Sequence, residues 1–278
     1  MKKITAILLA MLMILGCLAG CSATNNAAGN TDANGTPIDP AKSIVVGYTI
    51  YAPMNYFEDG SDKLVGFDTE LAEAVFGKLG YTVIFQEIDW NAKYTDLDSG
   101  TIDCVWNGFT ANTADDDGIL RSEKVDFSYN YMENRQVIVV KADSSIATAA
   151  DLSGMLGAVE SGSAGQTYAE GFEGAEIKGC NYQTDCLMEV NSGAADFAVL
   201  DAQLAKAYVG NGDYAGLKIV DDLSSDVEYY AIGFKRGSEL TAKVNAQLEA
   251  LAADGTIAAL AEKYGVANTA ITDFSDQK

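Results

Sequence analysis

The sequence predicts an α/β fold of two similar lobes, each built on a mixed, mostly parallel β-sheet. Residues 44–46 and 81–85 are apolar runs rich in β-branched side chains, and residues 68–79 between them have helical spacing. A strand, a helix and a strand with short connections are typical of a parallel sheet. Residues 97–105 and 190–198 resemble each other as a helix end, a Ser-Gly turn and a buried strand, which indicates related halves. Chance similarity between two short segments is the alternative.

Local signals support the elements in order. Asp68 is a favourable helix N-cap, and Gly80 is suited to end the same helix. Residues 137–140 and 231–234 are apolar runs typical of buried strands. Residues 240–264 predict an amphipathic helix and a second short helix, separated by an Asp-Gly break.

The composition excludes several classes of function. The 278 residues include 40 acidic and 18 basic side chains, a formal net charge of −22, and no histidine. Such a charge argues against a nucleic-acid partner, which needs clustered Lys and Arg. Without histidine, neither a Ser-His-Asp or Cys-His catalytic system nor a His-containing metal site can form. Carboxylate, lysine and cofactor chemistry stay open.

The N-terminus has the features of an export signal. Two lysines and an apolar run at residues 4–18 predict a signal peptide over residues 1–20. The run ends in Leu-Ala-Gly before Cys21, which resembles the bacterial lipobox whose cysteine is lipidated; an ordinary secretory signal is the alternative. Residues 21–41, rich in Asn, Ala, Gly and Thr, predict a flexible tether. Together these segments predict a lipid-anchored protein on the outer face of the cytoplasmic membrane.

Beyond the tether the chain carries a series of short motifs. In chain order they are Tyr51-Ala52-Pro53, Leu64-Val65-Gly66-Phe67-Asp68, Asp98-Ser99-Gly100-Thr101-Ile102-Asp103, Asn107-Gly108-Phe109-Thr110, Lys124-Val125-Asp126-Phe127-Ser128, Asp151-Leu152-Ser153-Gly154, Ser161-Gly162-Ser163-Ala164-Gly165 and Leu251-Ala252-Ala253-Asp254-Gly255-Thr256. The ordered set resembles the type II periplasmic-binding-protein family, in its polar amino-acid branch (bacterial extracellular solute-binding proteins, family 3).

The resemblance implies an arrangement for the whole chain. Residues 42–133 and 230–278 would form lobe 1, and residues 134–229 lobe 2. Two crossover strands would join the lobes, and the ligand would bind in the cleft between them. The implied function is capture of an amino acid for the membrane subunits of an ABC-type importer. The implied protein is a monomer and a binding protein, with no cofactor and no catalytic residues.

A free amino acid is a zwitterion, so the site needs groups of both charges. Arg121 stands four residues before Val125, as the arginine that binds the ligand carboxylate does in the family. An insertion that contains residues 115–117 precedes it and puts this position in doubt, and an exposed surface arginine is the alternative. Asp201 ends an apolar strand and matches the family's acceptor for the ligand ammonium. Its alternative role is N-cap of the next helix.

The resemblance and the chain pattern supply the rest of the predicted site. Ser163 lies in a Gly-rich turn before a helix, where backbone N–H groups would help bind the carboxylate; a plain turn is the alternative. Tyr51 matches the aromatic residue that stacks on the ligand side chain, and Trp90 is either another wall or core. The 107–110 motif adds Asn107, Gly108 and Thr110.

Tyr48 bears on the choice of ligand. Relatives that bind basic or amide side chains commonly carry Asp at this position, so Tyr48 favours, weakly, a ligand with a neutral side chain.

The cysteines and the acidic cluster allow further predictions. Cys104 lies within a predicted strand and is expected to be an inert thiol. Cys180 and Cys186 are either a disulfide or two free thiols, because spacing alone does not determine geometry. Residues 115–118 (Asp-Asp-Asp-Gly) suggest calcium, but Lys124 would occupy the place of the bidentate Glu of an EF-hand, so no metal is expected.

Two other functions stay open on the same fold. One is an enzyme similar to the cyclohexadienyl or arogenate dehydratases, for which Asp201 and Glu160 are the acid–base candidates. The other is an accessory protein that senses a ligand for a signalling partner. Fold alone does not separate these from transport.

Overall fold

Two five-stranded sheets form the framework, which a computed structural model describes over residues 39–58 and 60–278. The strands are β1 (Ser43–Tyr48), β2 (Tyr56–Phe57), β3 (Leu64–Val65), β4 (Thr82–Glu87), β5 (Cys104–Val105), β6 (Asp126–Phe127), β7 (Met132–Asn134), β8 (Gln136–Lys141), β9 (Leu156–Glu160), β10 (Glu176–Cys180), β11 (Phe197–Asp201), β12 (Leu217–Ser224), β13 (Glu228–Tyr230) and β14 (Gly233–Phe234).

The helices lie between the strands and after them. They are α1 (Phe67–Lys78), α2 (Lys93–Ser99), α3 (Arg121–Lys124), α4 (Ala164–Ala169), α5 (Gln183–Ser192), α6 (Ala202–Tyr208), α7 (Leu240–Ala253) and α8 (Thr256–Lys263). Near the C-terminus, α7 and α8 return to pack on α1. Within the described residues, none of the helices has the length and apolar character needed to cross a bilayer.

The strand order confirms the predicted α/β class. The first sheet runs β4-β1-β5-β14-β6, and the second runs β10-β9-β11-β8-β12. In the first, β1 is parallel to β4 and β5, while β14 is antiparallel to β5 and β6. In the second, β9 is parallel to β10 and β11, while β8 is antiparallel to β11 and β12. Each sheet is therefore mixed, with the same division between a parallel and an antiparallel part.

The repeated segment occupies equivalent places in the two sheets. Gly100 and Gly193 both end a helix in the left-handed conformation, with φ of 75° and 82°, which a glycine adopts without steric cost. Three residues later, an Asp carboxylate accepts a backbone N–H from the neighbouring strand: Asp103 from Val45 and Asp196 from Leu156. These matching turns and hydrogen bonds confirm the prediction of two related halves.

Strands β7 and β13 connect the two sheets. They pair antiparallel, with Asn134 opposite Glu228 and Tyr230 opposite Met132. The chain passes through β7 from the first sheet to the second and returns through β13. The crossover strands expected from the resemblance are therefore present. The exact lobe boundaries, which fall within these strands, stay a prediction.

Three cysteines lie within the described residues, and all three are free thiols. Cys104 is fully buried, and burial raises its pKa well above the usual value, as expected of an inert thiol. Cys180 and Cys186 are both buried and close enough for their side chains to hydrogen-bond each other. The structure thus has the free-thiol alternative, not the disulfide. The predicted signal peptide, the lipobox cysteine Cys21 and almost all of the tether lie outside the described residues.

Asp68 does not cap α1, contrary to the prediction. Gly66 is the N-cap, and Asp68 is the second helical residue. Its Oδ2 accepts hydrogen bonds from the Gly108 N–H at 3.1 Å and the Tyr131 hydroxyl at 2.8 Å, while Oδ1 is buried without a partner among the described residues. Burial raises the pKa of Asp68 to about 7, although these two hydrogen bonds act to lower it.

Asp68→Asn is expected to change how stability depends on pH. The folded chain holds the Asp68 proton up to about pH 7, whereas the unfolded chain releases it near the ordinary value of 3.8. The wild type should therefore lose up to about 1.4 kcal/mol of unfolding free energy per pH unit through this group as pH rises over that interval. Urea unfolding at pH 4.5, 5.5 and 6.5 measures the slope.

Asp98→Asn, at an exposed position, is the matched control and should follow the wild type. If the free energy of unfolding changed with pH in the same way for Asp68→Asn and the wild type, Asp68 would be ionised in the folded protein over this range.

Candidate ligand-binding cleft

One cavity collects all eight predicted ligand-binding residues. Its lining also includes Glu160, Ala164 and Gln183, which were not predicted as ligand contacts. The predicted members are Tyr51, Trp90, Asn107, Gly108, Thr110, Arg121, Ser163 and Asp201. The space left between the side chains is about 10 Å³, room for about one water molecule. An amino acid therefore needs the cavity to be wider than this.

Arg121 is a buried residue of the cavity, so the alternative of an exposed surface arginine is wrong. It is 1% exposed, at the start of α3. Its Nε donates to Asp115 Oδ1 at 2.7 Å, Nη1 to the Thr110 carbonyl at 3.3 Å and Nη2 to the Gly162 carbonyl at 3.2 Å. Since a guanidinium has five N–H groups, one N–H on each terminal nitrogen is left.

The acidic insertion positions this arginine. Residues 114–120 form a small hairpin in which Ala114 pairs with Leu120, and this turns Asp115 inward. Asp115 Oδ2 accepts from the Tyr94 hydroxyl at 2.6 Å and from Lys124 Nζ at 2.7 Å. Burial alone would raise the pKa of Asp115, but Arg121 and then Lys124 and Tyr94 outweigh it and hold that pKa at about 2. The carboxylates of the insertion therefore serve cations of the chain itself.

Lys93 is a second buried cation beside Arg121, and sequence analysis did not identify it. Its Nζ donates to the Trp90 carbonyl at 3.2 Å and to the Gly162 carbonyl at 3.1 Å. It also lies 4.9 Å and 4.8 Å from the ring centroids of Trp90 and Tyr94. Burial, with the charge of Arg121, lowers the pKa of Lys93 to about 7. The Gly162 carbonyl thus accepts from two cations of the first lobe.

The aromatic walls are held by polar contacts or packing. The Tyr51 and Tyr230 hydroxyls are 2.7 Å apart, and the rings meet edge to face. Trp90 packs edge-on against Phe109, with ring centroids 5.3 Å apart. The indole N–H of Trp90 is buried without a partner among the described residues. Trp90 is thus core on one side and cavity wall on the other.

Asn107 and Gly108 shape the cavity more than they offer polar groups to it. The Asn107 amide donates to the Thr49 carbonyl and to Asn55 Oδ1, and its oxygen accepts from the Thr49 hydroxyl. These bonds tie the 49–55 loop to the end of β5. A Cβ at Gly108 would lie 2.7 Å from the Tyr51 ring, so only glycine lets that ring approach.

Asp201 serves the cavity and not the helix that follows it. It is the N-cap of α6 by position, but its side chain makes no capping hydrogen bond, so the capping alternative is wrong. Its Oδ1 accepts from Asn134 and Gln136, both at 2.6 Å, and its Oδ2 accepts from Gln183 at 2.5 Å. Burial raises the pKa of Asp201, although these hydrogen bonds act to lower it.

The second lobe adds Glu160, Gln183 and Ser163. Glu160 ends β9 and is buried; burial, with the charge of Asp201, raises its pKa to about 8. Gln183 begins α5 and also accepts the Asp201 N–H through Oε1 at 3.0 Å. Ser163 is the N-cap of α4, where its hydroxyl accepts from the Gln166 N–H at 3.1 Å. Sequence analysis named Glu160 as an acid–base candidate only, and the end of a strand facing the crevice is also the signal of a lining residue; Gln183, after the end of β10, was missed and has the same signal.

Tyr48 lies outside the lining of this cavity. It is buried at the end of β1, with its ring edge-on to Phe85 at 6.1 Å. In this structure Tyr48 therefore does not line the cavity in which a ligand would bind.

Comparison with known proteins places these features in a family. The sequence profile of bacterial extracellular solute-binding proteins, family 3, matches residues 44–267. The arginine-binding extracellular protein ArtP of Bacillus subtilis is 31% identical over 227 residues, which are 80% of this chain and 86% of ArtP. The L-cystine-binding protein TcyA of the same organism is 28% identical over 271 residues, 95% of this chain and 97% of TcyA.

A solved structure agrees in both sequence and fold. An ancestral arginine-binding protein bound to arginine is 34% identical, with a TM-score of 0.73, over 80% of this chain and 98% of that protein. The profile match extends from β1 to the residues that follow α8, so it includes both sheets, the crossover strands and every residue of the cavity. The chain belongs to the bacterial extracellular solute-binding proteins, family 3.

Proposed function

We propose that the protein binds one free amino acid between its two lobes and delivers it to an ABC-type importer. The observation that carries this proposal is the single cavity in which Arg121, with Lys93 beside it, is combined with Asp201 and Glu160. A zwitterion needs a cation for its carboxylate and an anion for its ammonium, and the cavity offers both.

The carboxylate end is best served by Arg121. One N–H on each terminal nitrogen is free of the bonds to Asp115, Thr110 and Gly162, and two such groups suit a carboxylate. Asp115 keeps the Nε side occupied, which leaves the terminal nitrogens as the side available to ligand. Lys93 adds a second positive charge behind the Gly162 carbonyl.

The ammonium end is best served by Asp201, a buried carboxylate of the cavity whose Oδ2 accepts from Gln183 and whose Oδ1 accepts from Asn134 and Gln136. Because Arg121 belongs to the first lobe and Asp201 to the second, neither lobe satisfies both ends of a zwitterion. An amino acid thus stabilises the closed arrangement over an open one, and that difference in affinity drives closure. Closure is the signal of a loaded protein that an importer can recognise.

We propose that the bound amino acid has a neutral side chain. The reason is that this chain carries Tyr48 at the position where relatives with basic or amide ligands commonly carry Asp. The relatives described above are named for arginine and cystine binding. A panel of L-serine, whose neutral side chain carries no amide, with L-arginine and L-cystine therefore covers the proposed class and both of those.

Enzymatic activity is the second candidate, and one observation favours it. Glu160, with a pKa of about 8, lines the cavity, and its electrostatic neighbour Lys93 has a pKa of about 7; such groups suit acid–base chemistry. Both shifts have a structural cause in burial, and the family and the relative ArtP are named for binding, so we propose binding without turnover. Consumption of prephenate-like acids in an incubation would contradict this.

Binding and closure are expected with at least one member of the amino-acid panel. Isothermal titration calorimetry should rank L-serine above L-arginine, and mass spectrometry of ligand released from denatured protein should find a free amino acid. Solution scattering should give a smaller radius of gyration at saturation. A tighter fit for L-arginine would overturn the neutral preference, and an unchanged radius would overturn closure.

Arg121→Lys is expected to weaken amino-acid binding by about 1.5–3 kcal/mol, because lysine cannot give two parallel hydrogen bonds to a carboxylate. The stability of the fold should also fall, since the buried guanidinium supports Asp115 and two carbonyls. Calorimetry at matched folded fractions, checked by circular dichroism, separates the two effects. Arg236→Lys, an exposed change, is the control. Equal affinities for the wild type and Arg121→Lys would exclude the arginine from the carboxylate site.

Lipid anchoring at Cys21 is proposed from the Leu-Ala-Gly-Cys signal. It would hold a monomeric protein on the outer face of the cytoplasmic membrane, within reach of the importer. Cys21→Ala should release the protein from the membrane fraction or block its maturation, as cell fractionation and N-terminal mass analysis would show. A membrane-bound variant with a normally cleaved N-terminus would rule the anchor out.

A further inference from the structure

Two buried carboxylates lie side by side where the chain crosses between its sheets. Asn134 Nδ2 donates to Asp201 Oδ1 at 2.6 Å and to Glu228 Oε1 at 2.5 Å. Gln136 Nε2 donates to the same two oxygens, at 2.6 Å and 2.7 Å. Since a side-chain amide has two N–H groups, each amide gives one to each carboxylate. The two oxygens share both donors and are therefore close neighbours.

This pair has no counter-charge bonded to it among the described residues. Asp201 and Glu228 are 6% and 7% exposed, and within the described residues neither forms an ion pair. Gln183 donates to Asp201 Oδ2, and the Tyr230 hydroxyl also forms a hydrogen bond with Asp201, so these further partners are neutral as well. Ionising both of two adjacent buried carboxylates without a counter-charge has a high free-energy cost. Such pairs therefore hold one proton between them.

The surrounding charges agree with a shared proton. Burial, with the charge of Asp201, raises the pKa of Glu228 to about 7, and the charge of Arg121 only partly offsets this. Burial also raises the pKa of Asp201. Glu160 of β9 lies on the cavity side, where burial and the charge of Asp201 raise its pKa to about 8, and the Tyr51 and Tyr230 hydroxyls face the pair in neutral form. The positive charge of Lys93 acts on Glu160, whose pKa it lowers in part.

We propose that Asp201 and Glu228 form a dyad that holds one proton in the absence of amino acid and releases it when an ammonium group binds beside Asp201. The inference rests on the proposed function, because it needs an amino acid at Asp201. Asp201 lines the cavity and Glu228 does not, so Glu228 acts through Asp201 as a positioning residue. In the step, the O–H bond of the shared carboxylic acid breaks, its electron pair stays on oxygen, and the proton passes to water.

The dyad has a physical advantage over a single aspartate. In the absence of amino acid, one proton removes the repulsion between two buried charges. After binding, the ammonium takes over that compensation and finds two negative charges instead of one. Proton and ammonium thus compete for the dyad, and the affinity for amino acid rises with pH, by at most about tenfold per pH unit for one proton.

Calorimetry in buffers of different ionisation enthalpy counts the released protons. The tightest binder among L-serine, L-arginine and L-cystine is titrated at pH 6.5 in phosphate, Pipes and imidazole. The wild type should release between half a proton and one proton per amino acid bound, and its affinity should rise from pH 6 to pH 7.5. In Glu228→Gln the release should fall close to zero and the affinity should lose its pH dependence.

Two control variants locate the proton. Glu133→Gln, an exposed change on the same strand β7, should behave as the wild type does. Glu160→Gln controls for the other buried acid of the cavity, and proton release that persists in this variant would assign the proton to the amide-bridged pair. Loss of release in Glu160→Gln but not in Glu228→Gln would overturn the dyad.

The wild-type measurement tests the inference even if Glu228→Gln fails to fold. Wild-type binding with the same enthalpy in every buffer would overturn the dyad and leave the proposed function intact. Absence of heat with every amino acid of the panel would remove the proposed function and the dyad together.

Discussion

Two side-chain amides determine how the cleft is built. Asn134 and Gln136 stand where the chain crosses from one sheet to the other, and they bind the carboxylates of Asp201 and Glu228 at once. Through Asp201 this group reaches the cavity, and through Glu228 it reaches the returning strand β13. The charge of the binding site and the connection between the sheets therefore depend on one hydrogen-bonded group. Buried carboxylates are tolerated there because neutral donors satisfy them.

On the positive side of the cleft, the buried charged groups are likewise held by hydrogen-bond partners. A chain with a net charge of −22 buries Arg121 and Lys93 next to each other and joins both to the Gly162 carbonyl. Asp115, from the inserted hairpin, balances the arginine and leaves its terminal nitrogens toward the cavity. The insertion that seemed to displace the arginine along the chain is thus the segment that holds it in place.

Several features were predictable because they depend on local chemistry. The strands and helices named from apolar runs and spacing are present, and the repeated Ser-Gly turn marks equivalent positions in both sheets. The predicted site residues also meet in one cavity. Asp68 was misassigned as a cap because its carboxylate finds the Gly108 N–H and the Tyr131 hydroxyl, which are distant in sequence. Lys93 and Glu228 were missed because a charged residue in a sequence is normally exposed, and nothing local signals its burial.

The sequence by itself determined the α/β class, the family and the residues that surround the cavity, because these follow from periodicity, turn chemistry and ordered motifs. Only the tertiary structure decided what each polar side chain is bound to. It assigned Asn107 to the 49–55 loop, Asp115 to Arg121, and Asp201 to the amides of Asn134 and Gln136. The physical reason is that a hydrogen-bond partner is selected by distance in space, and these partners come from separate strands and loops that only folding brings together.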